Sequence, residues 1–118
     1  MSTVLVVDDE RHVRMLYEQE LTAEGYTVIV SDGQEPILDL IVRVTPNVVI
    51  LDIKLGLNLS GLDLLQKIRT VYQDLPVILS TAYSSFKTDF KAVVADRYVV
   101  KSVDLTELKA TLAAVLKK

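Results

Sequence analysis

VLVVDDE, residues 4–10, is a run of four apolar residues that ends in three acidic ones. Apolar residues at every position, without alternation, are typical of a strand that is covered on both faces, as the strands of parallel sheets are. Further runs rich in β-branched residues recur along the chain, at 27–30, 48–51, 77–79 and 98–100. The sequence therefore predicts five strands in a parallel sheet.

Helical periodicity fills the intervals between these strands. The first helical pattern ends at Gly25, the second has Pro36 in its first turn, and the third starts from the capping residue Ser60. A short fourth pattern covers 86–95, and a fifth covers 105–116. This alternation predicts an α/β fold, a doubly wound (βα)5 domain of the flavodoxin-like kind, with a five-stranded parallel sheet in the order 2-1-3-4-5.

The composition of the chain limits its possible functions. Its 118 residues suit one domain, which we expect to span residues 1–118. The 13 basic and 16 acidic residues give a net charge of −3, which disfavours direct binding to nucleic acid or to a membrane. Cysteine is absent, so disulfides and thiol nucleophiles are excluded. Because the sequence has neither a signal-peptide pattern nor a membrane-spanning apolar run, we expect a soluble, cytoplasmic protein.

A group of polar residues follows the predicted strands. Asp8 and Asp9 come after the first strand, Asp52 after the third, Thr81 after the fourth and Lys101 after the fifth. The carboxyl ends of parallel strands share one edge of the sheet, and ligands bind there at the crevice where the strand order reverses. In the order 2-1-3-4-5 the first and third strands are neighbours at that crevice. We therefore expect the three carboxylates to converge.

Converging carboxylates repel one another, and a hard divalent cation relieves the repulsion. Oxygen ligands without a nearby histidine or cysteine favour Mg²⁺. With Lys101 as an opposing charge and Thr81 as a hydroxyl, these are the groups that phosphoryl transfer needs. Asp52 stands alone at its strand end and is the best candidate nucleophile, whereas the adjacent Asp8 and Asp9 are suited to holding the metal.

Each of these residues also has a purely structural interpretation. Acidic residues before a helix are often only an N-cap and its first-turn charges, which is a sufficient reason for Asp8, Asp9 and Glu10. Asp52 could be a loop aspartate, Thr81 a β-branched strand end and Lys101 a solvated lysine. Their joint placement at four strand ends of one sheet edge favours the functional interpretation.

Taken in order, VLVVDDE, VVILDI, SGLDLL, PVILSTAY and YVVKS resemble the receiver domain of bacterial two-component response regulators, of the chemotaxis-receiver kind, over residues 3 to 117. The resemblance implies that Asp52 accepts a phosphoryl group from a histidine kinase or phosphotransfer protein, forming an aspartyl phosphate. It implies that Mg²⁺ is bound by Asp9, Asp52 and the carbonyl of Lys54, with Asp8 acting through water. Lys101 would pair with the phosphoryl oxygens.

The resemblance also implies a switch, in which Thr81 turns inward to bond the phosphoryl group and Tyr98 follows from an outward to an inward rotamer. The chain departs from the family pattern in three places. Lys101 is followed by Ser102 instead of the usual proline, the loop after Asp52 is one residue longer without its usual proline, and the stretch before Lys101 is short. We expect an abbreviated fourth helix, and a trans bond before Ser102 because a cis bond there costs roughly 2.5–4 kcal/mol.

These features predict a phosphoprotein that acts as a binding switch in phosphorelay signal transduction, not an enzyme with a turnover substrate. Its partners would be the histidine kinase or phosphotransfer protein and an output protein or effector domain, reached through protein contacts or within a longer regulator. One alternative is an aspartyl-phosphate phosphohydrolase of the haloacid-dehalogenase type. That family needs an acid two residues after its nucleophile, where this chain has Lys54. Another alternative is a degenerate receiver used only for docking, whose acidic set would normally be broken.

Overall fold

The computed structural model describes residues 2–53, 60–81, 97–101 and 104–116, and these ranges hold five strands and four helices. The strands are β1 (Thr3–Val7), β2 (Thr27–Ser31), β3 (Val48–Asp52), β4 (Val77–Thr81) and β5 (Arg97–Val100). The helices are α1 (Arg11–Ala23), α2 (Ile37–Val44), α3 (Gly61–Val71) and α4 (Thr106–Leu116). The short helix predicted for 86–95 lies outside the described residues.

All strand pairs are parallel, and the sheet has the order β2-β1-β3-β4-β5. The central strands β1 and β3 pair so that Val7 lies opposite Leu51, which brings the residues after β1 next to the end of β3. On the other side of β3, Asp52 lies opposite Ser80 of β4. The predicted parallel α/β class is therefore confirmed, and its first and third strands meet at the reversal of strand order, as expected.

The sheet is covered on both faces, which explains why its strands lack alternation. On one face, alternate residues such as Leu5 and Leu51 pack with α2 and α3. On the other face, the intervening residues such as Val6 and Ile50 pack with α1 and α4. Every residue of β3 is buried. The strand ends at Asp52, so a carboxylate is carried from the core to the edge of the sheet.

Local signals set the helix boundaries. Ser60 is the N-cap of α3, where its hydroxyl accepts a hydrogen bond from the Leu62 N–H at 3.2 Å, as the sequence predicted. Gly25 follows α1 with a φ of +101°, a conformation that suits glycine. Pro36 is the N-cap of α2 rather than a residue of its first turn, and Thr45 ends that helix in the left-handed region. No helix among the described ranges is long and apolar enough to cross a membrane.

Candidate functional site

The carboxyl ends of the central strands hold two buried acids. Asp8, directly after β1, is 2% exposed, and Asp52, the last residue of β3, is 5% exposed. Lys101 follows β5 and keeps only 13% of its side chain exposed. Buried acids and lysines are rare unless they are paired. The structure therefore brings together three of the predicted site residues.

Lys101 is the centre of this arrangement. Its Nζ lies 2.7 Å from Asp8 Oδ2, 3.2 Å from Asp52 Oδ2 and 3.3 Å from Glu10 Oε1. An ammonium group has three hydrogens to donate, and each of these carboxylates can accept one. Lys101 thus joins the end of β1, the end of β3 and the start of α1 through one charged group.

The electrostatics of Lys101 follow from these contacts. Burial by itself lowers the pKa of the ammonium group, because water no longer stabilises its charge. The hydrogen bond to Asp8 and the negative charge of Asp52 outweigh that effect and raise the pKa above its ordinary value. Lys101 is therefore charged at every physiological pH and can neutralise an anion at the crevice.

Negative charge remains in excess around Lys101. Carboxylate oxygens of four residues lie within 4.8 Å of one another: Asp8, Asp9, Glu10 and Asp52. Four carboxylates near one ammonium leave a net negative charge that a divalent cation compensates. The donor set consists of oxygen atoms, as Mg²⁺ prefers. Asp8, Asp9 and Asp52 are thus suitably placed to hold it.

Backbone hydrogen bonds hold Asp8 in place. The Asp8 N–H donates to the Ser31 carbonyl at 3.0 Å, and the Asp8 carbonyl accepts a bond from the Arg14 guanidinium at 2.9 Å. One carboxylate oxygen, Oδ1, accepts from the Glu10 N–H at 2.9 Å, while the other contacts Lys101. The Asp8 side chain therefore links the start of α1 to the end of β5.

Asp52 is held from behind by the start of α3. The Gly61 N–H donates to the Ile53 carbonyl at 2.6 Å, so the helix begins against the end of β3. A Cβ atom at Gly61 would lie 1.8 Å from the Asp52 carbonyl oxygen, far inside van der Waals contact. Only glycine allows this close approach, which sets the position of the Asp52 backbone.

A pair of buried hydroxyl groups lies beside the acidic site. Tyr17 of α1 and Ser80 of β4, 2% and 1% exposed, share a hydrogen bond of 2.9 Å. Burial raises the pKa of the Tyr17 hydroxyl, so it is neutral. Ser80 lies opposite Asp52 in the sheet. The pair therefore ties α1 to the strand that flanks the acid.

Glu10 belongs to the cluster, although the sequence predicted no role for it in the site. The signal that could have found it is its position as the third acid of VLVVDDE, one residue beyond the pair that was singled out. The structural alternative, in which this acid only caps the helix, is not what the structure shows. Glu10 is the N-cap of α1 but makes no side-chain cap hydrogen bond.

Three predicted residues are described only in part or not at all. Thr81 is the last residue of β4, opposite Val100, and Tyr98 lies in β5 opposite Leu79. The side chains of Thr81 and Tyr98, the whole of Lys54 and the bond between Lys101 and Ser102 lie outside the described part of the chain. The roles predicted for them stay predictions.

The fold and the site together define a class of protein, a small parallel α/β domain whose crevice holds acids that a lysine bridges. The family model of the response regulator receiver domain matches residues 4–113 of the sequence. That match covers most of the chain, which therefore belongs to this family. The family resemblance noted in the sequence is confirmed, and the chain is a receiver domain of the kind found in signalling regulators.

Individual relatives agree with this assignment. The response regulator MprA of Mycolicibacterium vanbaalenii is 36% identical over an alignment 118 positions long, which covers 98% of this chain and 50% of MprA. The structure of the response regulator protein TrrA of Thermotoga maritima in complex with Mg²⁺ and BeF has a TM-score of 0.92 at 39% identity, over 98% of this chain and 100% of TrrA. The structure of a complex between TrrA and the histidine kinase ThkA also matches, with a TM-score of 0.90 at 38% identity. The match covers 99% of this chain and 100% of the matching chain in that complex. The chain spans about half the length of the curated relative.

Proposed function

We propose that Asp52 is the phosphoacceptor of this receiver domain and that it takes the phosphoryl group from a histidine kinase or phosphotransfer protein. The contact of 3.2 Å between Lys101 Nζ and Asp52 Oδ2, inside a cluster of four carboxylates, carries the proposal. It sets a buried nucleophile beside a fixed positive charge. The histidine kinase bound to the similar TrrA in one solved structure supports the choice of donor.

In the proposed reaction a carboxylate oxygen of Asp52 attacks phosphorus. A bond forms between that oxygen and phosphorus, while the bond from phosphorus to the donor's imidazole nitrogen breaks and leaves its electron pair on the nitrogen. The ammonium group of Lys101 neutralises the negative charge that collects on the phosphoryl oxygens. Its present contact with Asp52 makes it available for this step without a long movement.

Mg²⁺, when bound, supplies further positive charge at the transferring group. We propose that Asp9, Asp52 and the carbonyl of Lys54 hold it and that Asp8 acts through water. Among the described residues, the all-oxygen set of Asp8, Asp9 and Asp52 fits this ion. The Mg²⁺ in the TrrA complex with BeF supports the same cofactor.

Phosphorylation would then act through protein contacts. We propose that Thr81 and Tyr98 respond to the phosphoryl group, and that the single domain of residues 1–118 completes the (βα)5 pattern with a helix between β4 and β5. The output would be an altered contact with an effector domain or another protein, without direct binding to nucleic acid or membrane. The chain serves in this account as a switch rather than an enzyme, and the cytoplasm remains its predicted location.

The alternatives considered from the sequence have less support. A phosphohydrolase of the haloacid-dehalogenase type does not agree with the receiver-domain family match over residues 4–113. The acidic set of a degenerate receiver would normally be broken, but here Lys101 lies within contact distance of both Asp8 and Asp52. These contacts favour a domain that is chemically competent.

Intact-mass measurement after incubation with acetyl phosphate and Mg²⁺ tests the proposal. We expect one phosphoryl group per chain with Mg²⁺ and none with a chelator. Steady release of phosphate from a generic phosphate ester would instead favour the phosphohydrolase. No mass increase with acetyl phosphate, phosphoramidate or a phosphorylated donor protein would favour the degenerate receiver.

A further inference from the structure

Glu10 occupies an unusual position at the start of α1. An acid at a helix N-terminus commonly accepts hydrogen bonds from the first-turn N–H groups. The Glu10 side chain makes no such bond, although Glu10 is the N-cap. Its carboxylate instead reaches Lys101, 91 positions away in the chain, at 3.3 Å. From this contact we propose that Glu10 is a positioning residue for Lys101, an inference that rests on the proposed phosphoacceptor function.

The backbone of Glu10 is held at both of its polar groups. Its N–H donates to Asp8 Oδ1 at 2.9 Å, and its carbonyl accepts the first α-helical bond from the Arg14 N–H at 3.1 Å. The carboxylate thus extends from a backbone that is constrained by the end of β1 and by α1. A side chain on such a backbone is suited to orienting another group.

The three contacts of Lys101 differ in what the reaction does to them. Asp52 is the proposed nucleophile, so its contact with Lys101 changes when the phosphoryl group arrives. Asp8 and Glu10 are not consumed and can hold the ammonium group throughout. Asp8 approaches at 2.7 Å, and Glu10 is the second anchor. With two anchors instead of one, Lys101 stays directed at the position of the phosphoryl oxygens.

Glu10 contributes to orientation more than to stability. Its side chain is 48% exposed, and exposed ion pairs contribute little to the free energy of unfolding. The other carboxylate oxygen, Oε2, lies 3.5 Å from Nε2 of the exposed His12. We therefore expect the Glu10→Gln variant to fold normally, so its kinetics report on the site.

The charge of Glu10 alone and its contact with Lys101 predict opposite changes in the phosphorylation rate of Glu10→Gln. If Glu10 acted only through its negative charge, its removal would lessen repulsion of an anionic donor, and phosphorylation would become faster. If it positions Lys101, phosphorylation becomes slower. If it is a metal ligand, the dissociation constant of Mg²⁺ rises instead.

The test compares Glu10→Gln with the parent protein and with Glu24→Gln. Glu24 caps the far end of α1 and lies 3.8 Å from Lys109, so this control removes the same charge from another ion pair on the same helix. The rate of phosphorylation by acetyl phosphate is measured by intact mass at saturating Mg²⁺, and Mg²⁺ affinity by calorimetry. For Glu10→Gln we expect phosphorylation at saturating Mg²⁺ to be about three- to tenfold slower, with Mg²⁺ affinity lowered only through the loss of one nearby charge, whereas Glu24→Gln matches the parent.

A second readout needs neither metal nor donor. In a chelator, ¹⁵N NMR of the Lys101 ammonium group should show a shifted signal and faster hydrogen exchange in Glu10→Gln, but not in Glu24→Gln. An unchanged ammonium signal overturns the inference. So does a phosphorylation rate equal to or above that of the parent, or an effect confined to Mg²⁺ affinity. If the parent itself takes no phosphate, the proposed function fails, while the NMR comparison still decides whether Glu10 orients Lys101.

Discussion

Replacing Gly61 by alanine tests how the fold positions Asp52. The added Cβ would lie 1.8 Å from the Asp52 carbonyl oxygen, 2.7 Å from its carbonyl carbon and 2.9 Å from the Ile53 Cα. All three atoms belong to the backbone, so no side-chain rotation relieves the overlap. Ordinary contact begins at 3.4 Å, and α3 and the end of β3 must therefore separate by about 1.6 Å. That movement displaces the proposed phosphoacceptor.

We expect Gly61→Ala to lose much stability for the addition of one methyl group. Overpacking a well-packed site costs typically about 1–3 kcal/mol, and a clash with backbone belongs at the upper end of that range or above it. The better helix propensity of alanine returns up to about 1 kcal/mol. We expect a net loss of about 2–4 kcal/mol in the free energy of unfolding, or roughly 8–16 °C in Tm at about 4 °C per kcal/mol for a domain of this size.

Urea denaturation followed by circular dichroism measures the loss, and Mg²⁺ titration measures the effect on the site. Gly25→Ala is the matched control. A Cβ there meets nothing within 4 Å, but φ is +101°, so we expect a conformational cost of about 1–2 kcal/mol with Mg²⁺ affinity unchanged. Gly61→Ala should weaken Mg²⁺ binding as well. If the free energy of unfolding of Gly61→Ala lies within about 0.5 kcal/mol of that of the parent, and the variant binds Mg²⁺ equally well, the close approach of α3 to Asp52 is wrong.

Three further predictions address the surroundings of the site. Asp9→Ala should weaken Mg²⁺ binding and raise the metal-free Tm, because it removes one of the clustered carboxylates; Mg²⁺ affinity equal to that of the parent would exclude Asp9 as a ligand. Tyr17→Phe leaves the buried Ser80 hydroxyl without its partner and should lower the free energy of unfolding by about 1–2 kcal/mol. The double variant Tyr17→Phe/Ser80→Ala should lose less than the sum of the two single variants, and strict additivity in urea denaturation would contradict the Tyr17–Ser80 hydrogen bond. Hydrogen bonds from Thr106 lower the pKa of Asp104 below its ordinary value of 3.8. The ionised Asp104 carboxylate therefore stabilises the folded protein fully above pH 3.8, and this contribution is lost as the pH falls through the lower pKa of the folded state. Asp104→Ala should therefore lower Tm at pH 7 and make Tm less sensitive to acid, and an unchanged pH profile would rule out this contribution of the Thr106–Asp104 hydrogen bonds.

The sheet could be predicted from the sequence because its signals are local. Each strand is a short run of apolar residues, and in β3 all five residues are buried, as a run without alternation requires. Ser60 was likewise predictable, since an N-cap depends on residues a few positions away. The proximity of Asp8 and Asp52 followed from the strand order alone, because the carboxyl ends of neighbouring parallel strands lie at the same edge of the sheet.

Features that depend on distant packing could not be predicted in this way. Tyr17 is buried in α1, but the partner of its hydroxyl group, Ser80, is 63 positions away and is determined by how α1 lies on β4. The dipole rule places an acid such as Glu10 at a helix start, and it does not reveal that the carboxylate turns to Lys101 instead. Nothing in the composition around Thr45 indicates its left-handed conformation, since glycine is the usual residue there.

Asp52 is the residue that we propose receives the phosphoryl group. Borohydride reduction traps an aspartyl phosphate as homoserine, and peptide mass spectrometry after treatment with acetyl phosphate and Mg²⁺ locates it. We predict homoserine at position 52 in the parent protein and no phosphoryl gain in Asp52→Asn, which keeps the shape of the side chain but lacks the carboxylate nucleophile. Homoserine at position 8 or 9 in the parent, or an Asp52→Asn variant that gains phosphate as the parent does, would contradict the account.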